Sequence, residues 1–229
     1  MEENNLSRKE LSKMVMIRII LFFPAMFVFF FLPAGSFSYW QAWVYMAILF
    51  IPMLFVLNYL LKNNPKLLER RMRMREKEPA QKKIIKFSGV FLTLALILPG
   101  LDFRLGWSHV PLAIVIISEI VVLVGYFLIF LVFKENTYTS RIIEVEQGQK
   151  VISSGPYAFV RHPMYSGAIL MYSVTPVALG SWWALIPGFM IIPTLVFRIL
   201  NEENVLARDL PGYKEYMQKV HWRLLPGIW

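Results

Sequence analysis

The chain alternates long uncharged apolar runs with polar connections. A helix needs about 20 mostly apolar residues, each rising about 1.5 Å, to cross a hydrocarbon core of about 30 Å. Six runs approach that length, at 15–32, 40–61, 87–101, 110–133, 165–179 and 182–199, and the fifth is short for a span. Residues 33–38 form an uncharged connection between the first two. Gly180 and Ser181 form a tight turn that makes a helical hairpin of the last two. Within the polar stretch 134–161, residues 141–151 alternate in places like a strand or an extended loop. From Asn201 to Trp229 the chain is polar and amphipathic. The pattern predicts an all-α integral membrane protein of about six transmembrane helices.

Charge orients that arrangement. Residues 62–86 hold ten basic side chains (Lys62, Lys66, Arg70, Arg71, Arg73, Arg75, Lys77, Lys82, Lys83, Lys86) against three acids (Glu69, Glu76, Glu78), a net +7. A basic loop of this kind stays on the cytoplasmic side. The nearly neutral turn with Asp102 and Arg104 then falls outside, and six crossings bring both termini to the cytoplasm. The first apolar run follows Arg8, Lys9, Lys13 and Arg18 and has no small-residue cleavage site before Trp40, so it reads as a retained anchor. A multi-pass protein of the cell membrane is expected. Two regions follow, joined as a single structural unit: N-terminal helices with the basic loop over 1–135, and a loop, hairpin and tail over 136–229.

Composition adds exclusions. At 57% hydrophobic residues and a mean hydropathy of +0.52, the chain is more apolar than a water-soluble core of this size requires. It has no cysteine and three scattered histidines, which rules out disulfides, thiolate nucleophiles and cysteine-ligated zinc and makes a metal site a poor expectation. The net charge of +9 lies mostly in the loop beside anionic headgroups, so nucleic acid is not an expected partner and membrane lipids are. No internal repeat is present, and oligomeric state is not legible.

Two polar clusters carry candidate chemistry. Gly155, Tyr157, Arg161, His162, Pro163, Met164 and Tyr165 make a turn that enters a helix with proline at its first position, where the missing amide has no partner to lose. The free amides of such an entrance suit a polar ligand group. Equally, Arg161 snorkelling, tyrosines in an aromatic belt and His162 as a cap would make an ordinary interfacial anchor. Arg198 and Glu202, four residues apart, share a helical face at the end of the sixth run, either as a surface pair or as part of a site. Because the fifth and sixth runs are hairpin partners, the two clusters converge at one depth, as the polar groups of a ligand site do. The tail around Pro211, Gly212, Tyr213 and Tyr216 reads as a turn and a short amphipathic helix lying on the membrane or covering a pocket. Glu119, in mid-span, is expected to face the interior, either as a substrate-site residue or as a protonated acid hydrogen-bonded between helices.

Arg161-His162-Pro163-x-Tyr165 preceded by Gly155-x-Tyr157, then Arg198-x-x-x-Glu202-Glu203-x-x-Leu206, then Gly212-Tyr213-x-x-Tyr216 and a closing Arg-Leu-Leu-Pro, resembles the isoprenylcysteine carboxyl methyltransferase family and its prokaryotic relatives. The resemblance covers roughly 136–229. It implies S-adenosyl-L-methionine as cofactor, contacted by Gln149, Lys150, Val151, Ile152, Tyr157, His162, Pro163, Met164, Tyr165 and Glu202, with Arg198 facing the acceptor. Arg198, Glu202 and His162 are the implied catalytic set. The implied acceptor is a lipophilic small molecule or prenylated substrate, methylated on a carboxylate, or a lipid headgroup methylated on its amine. No glycine-rich strand-to-helix fingerprint of a soluble nucleotide-binding fold is present. The competing readings are an NADPH-dependent membrane reductase of sterol-like substrates and a non-catalytic membrane protein.

Overall fold

The computed structural model describes residues 7–72, 76 and 79–229. Of the basic loop, Arg73, Arg75, Lys77 and Glu78 lie outside the described residues. The described residues form helices α1 (Arg8–Ala34), α2 (Trp40–Asn63), α3 (Pro65–Met72), α4 (Pro79–Leu105), α5 (Leu112–Glu135), α6 (Pro163–Ala178), α7 (Leu185–Asp209) and α8 (Tyr213–Lys219), with a 3-10 turn at Gly155–Ala158. No strand occurs among them. Residues 141–151 take the extended-loop form, closed by a turn in which Gln149 N donates to Glu146 O at 3.0 Å.

Five helices, α1, α2, α4, α5 and α7, are long and apolar enough to cross a membrane. The fifth apolar run forms α6, which has only 16 residues, about 24 Å of helix, and is not among these five, so the described residues show five such helices where the pattern of apolar runs predicts about six crossings. The observed elements outrun the apolar runs: α4 starts inside the basic loop and α7 continues to Asp209. Helices end where backbone partners end, not where lipid ends. Hence Asp102 and Arg104 sit in the last turn of α4 and not in a connecting turn.

Close backbone contact replaces a water-driven core. α5 packs most extensively on α6, and a Cβ on Gly125 would fall 2.7 Å from Gly167 O, with the reciprocal approach also 2.7 Å. Paired glycines let two membrane helices touch along their backbones. α4 packs on α7 and α1 on α4. At the end away from the basic loop, Asp102 is buried and accepts from Ser108 N (2.6 Å), Ser108 Oγ (2.6 Å) and Ser181 Oγ (2.5 Å). That carboxylate fastens the end of α4, the α4–α5 loop and the α6–α7 turn together. Tyr39 donates to Leu179 O at the same end. The basic end gathers the start of α6, the ends of α5 and α7, and α3, as alternating passes require.

Candidate active site at the basic end of the bundle

Gly155 opens the local architecture with φ +56, where a Cβ would stand 3.0 Å from Glu135, and the 3-10 turn follows. Pro163 sits in the first turn of α6 with His162 as its N-cap, as expected from the sequence. The C-terminal tail is then laced onto this entrance: Arg161 N donates to Trp222 O, His162 N to Arg223 O (both 2.9 Å), and Ser166 Oγ to Leu224 O (2.7 Å).

Glu203 holds the junction. Its Oε1 accepts from Arg161 Nε (2.6 Å) and pairs with His162 Nε2 (3.1 Å), while Oε2 accepts from Arg223 Nε (2.9 Å). Arg161 also donates to the carbonyls of Val220 and His221, both at 2.8 Å. Arg161 is therefore buried and bonded through Nε and Nη1, not snorkelling, and the His162 ring turns to Glu203 instead of capping the helix.

Glu202, one residue earlier and about 100° around the helix, points elsewhere. Its Oε2 accepts from the Tyr165 hydroxyl at 2.6 Å, and Arg198 Nε donates to that same hydroxyl at 2.9 Å. The pair expected on the α7 face is thus bridged by a tyrosine from α6. Arg198 also donates to Gln81 Oε1 (3.1 Å) and Arg141 O (2.7 Å) and lies 4.0 Å from Glu76.

A cavity open to solvent lies between the 136–161 loop, α6, the end of α7 and α8. Gln149, Lys150, Val151, Ile152, Tyr157, His162, Met164, Tyr165, Arg198 and Glu202 all line it. Pro163 is buried outside the lining and shapes the helix start. The structure adds residues that no motif singled out as ligands: Asn136, whose Nδ2 donates to Tyr157 Oη at 2.9 Å, and Tyr216, whose hydroxyl donates to Tyr157 O at 2.8 Å. Burial pushes the Tyr157 phenol up to about 12, against the opposing hydrogen bond from Asn136. Tyr213 lines the cavity with a buried hydroxyl that has no hydrogen-bond partner among the described residues. From outside, α3 clamps the loop: Arg70 makes a two-pronged ion pair with Glu146 and donates to Thr137 O (2.7 Å), and Arg71 donates to Ser140 O (3.1 Å). Spacing alone hid α3, because it interrupts a charge run that reads as solvated loop.

Glu119 faces inward, as its cost in lipid demands, but lies outside the lining of the cavity, and neither carboxyl oxygen has a hydrogen-bond partner among the described residues, so among these it matches neither the substrate-site nor the hydrogen-bonded interhelical expectation.

Two comparisons bear on the identity of this arrangement. The family model for phospholipid methyltransferases matches residues 113–211, which contain the loop, α6, α7 and both converging clusters. Over 133 residues the chain is 31% identical to a probable protein-S-isoprenylcysteine O-methyltransferase of Oryza sativa subsp. indica and, equally, to one of Oryza sativa subsp. japonica, covering 57% of this chain and 67% of each relative. On that identity and coverage the chain belongs to the isoprenylcysteine carboxyl methyltransferase family of multi-pass membrane methyltransferases.

Proposed function

We propose that this chain transfers the methyl group of S-adenosyl-L-methionine, held in the cavity at the basic end, to an amphipathic acceptor that enters from the membrane. The observation that carries the reading is the Arg198–Tyr165–Glu202 relay at the cavity wall. It presents a carboxylate and a guanidinium side by side. The cavity suits the cofactor in two further respects. The orphan Tyr213 hydroxyl and the second oxygen of Glu202, which takes no hydrogen bond from the described residues, offer a donor and an acceptor to its polar groups. The Tyr157 and Tyr216 rings supply aromatic faces of the kind that attract a cation.

Once bound, the cofactor supplies an electrophilic methyl whose bond to sulfur breaks, leaving a neutral sulfide, as a bond to the acceptor's lone pair forms. The residues of this chain position the reactants. Glu202 orients the donor, while Tyr165 and Met164 shape the approach. Three of the five Arg198 N–H groups are engaged by Tyr165, Gln81 and Arg141, and the other two make no hydrogen bond to the described residues, although Glu76 lies 4.0 Å from Nη2, so an acidic acceptor would be held chiefly through Nη1. An anionic acceptor brings its own lone pair, so no strong base is needed, and proximity with exclusion of water supplies the acceleration. The basic end is the cytoplasmic face on this reading. Both the carboxylate of an isoprenylcysteine, suggested by the names of the rice relatives, and a lipid headgroup fit an acceptor arriving through lipid.

Isothermal titration of the detergent-purified chain with S-adenosylhomocysteine tests the reading. Binding that is lost in Glu202→Ala supports it. No binding to well-folded wild type, or binding of NADPH in its place, overturns it. Methyl transfer is expected to fall further in Arg198→Ala than in Arg198→Lys, because only the guanidinium forms a fork.

A further inference from the structure

Arg71 is a cation set against the wall of the cavity. Its Nη1 donates to Ser140 O at 3.1 Å and touches Met164 Sδ at 3.7 Å, both on residues of the cavity wall, and its guanidinium lies over the Phe133 ring at 5.1 Å. No carboxylate among the described residues pairs with it. Arg198 bonds the next carbonyl along, Arg141 O, and its charge acts on Arg71. Arg18 of α1 completes the group: it donates to Met72 O at 2.8 Å, next to Arg71, and likewise has no carboxylate partner among the described residues. Tyr172, farther along α6, is within electrostatic reach of Arg71 and Arg141, and its hydroxyl makes no hydrogen bond to the described residues. Burial first, with the charges of Arg141 and Arg198 adding to it and Tyr165 opposing it, holds the Arg71 pKa below its ordinary value, so this guanidinium costs free energy as it stands. A shared anion would remove that cost. Arg18 and Arg71 both lie outside the stretch matched by the family model.

We propose that Arg71, backed by Arg18 and facing Arg198, is a specificity-determining residue that binds an oxyanion on an amphiphilic acceptor. This rests on the methyltransferase reading. The anion, a carboxylate or a phosphate, sits between Arg71 and Arg198, and its apolar chain leaves beside Phe133 and α1 into lipid.

The test measures equilibrium binding to the full detergent-purified chain, with S-adenosylhomocysteine present, for two matched pairs: N-acetyl-S-farnesylcysteine against its methyl ester, and dioleoyl phosphatidic acid against dioleoylglycerol. Wild type is expected to favour the anionic member of at least one pair by about tenfold or more, the scale of one charge-assisted contact. The pair that discriminates identifies the anion. Arg71→Gln is expected to reduce that ratio about tenfold, Arg18→Gln less, and Arg71→Lys to keep part of it. A wild type that binds neither anion, or does not discriminate, overturns the proposal without needing any variant to fold. Discrimination retained in both Arg71→Gln and Arg18→Gln overturns it too. If the anion preference holds while S-adenosylhomocysteine does not bind, the anion site stands and its reading as a methyl-acceptor site falls.

Discussion

The Tyr165 hydroxyl donates to Glu202 from 2.6 Å while it accepts from Arg198, so one phenol on α6 couples the two charged groups that α7 carries into the cavity. Hydrogen bonds to charged groups contribute about 1.5–3 kcal/mol each. Tyr165→Phe keeps the ring and removes both bonds. S-adenosylhomocysteine affinity, read by titration, is expected to fall by about tenfold or more, with the helices intact by circular dichroism.

Adjacent glutamates are expected to fail in different ways. Glu203 neutralises buried Arg161 and binds Arg223 and His162, so Glu203→Gln strands buried charge, at about 3–5 kcal/mol. Its thermal midpoint in detergent should drop by several degrees. Glu202→Gln should melt close to wild type and lose cofactor affinity. Equal melting temperatures for the two would contradict this division.

Glu119→Leu is expected to stabilise the protein. An acid in mid-span costs about 2.5–3.5 kcal/mol on insertion scales, and here no hydrogen bond from the described residues offsets it. Thermal melts should rise, with methyl transfer retained because Glu119 lies outside the cavity. Loss of transfer in a well-folded variant would give Glu119 a functional role.

Alkaline pH should weaken the 136–161 loop through Tyr157. Its ordinary value is 10.0 and burial raises it to about 12 in the fold. The folded state therefore favours the neutral phenol. The stabilisation is complete below about pH 10 and is lost as pH rises toward 12. S-adenosylhomocysteine affinity should fall across that window, and Tyr157→Phe should flatten the fall.

The motifs around His162, Pro163 and Tyr165 and around Arg198 and Glu202 were legible because chain order and hairpin pairing suffice to bring them to one depth. The part played by Glu203 was not. The resemblance pointed to Glu202 alone, and what Glu203 does follows only because the tail returns to place Arg223 beside it while α6 places Tyr165 beside Glu202. The contributions of α3 and Gln81 were hidden for the same reason, since a charge-rich segment carries no record of what it will pack against.

Taken alone, the sequence determined the membrane class, the number and order of apolar runs, the hairpin and the identity of the converging motifs, because these depend on local composition, periodicity and adjacency. The tertiary structure decided the helix ends, the burial of Arg161 and Asp102, the bridge through Tyr165 and the gathering of Arg18, Arg71, Arg141 and Arg198. Each of these joins residues dozens of positions apart through bonds a few ångströms long, and only the packed chain fixes such distances.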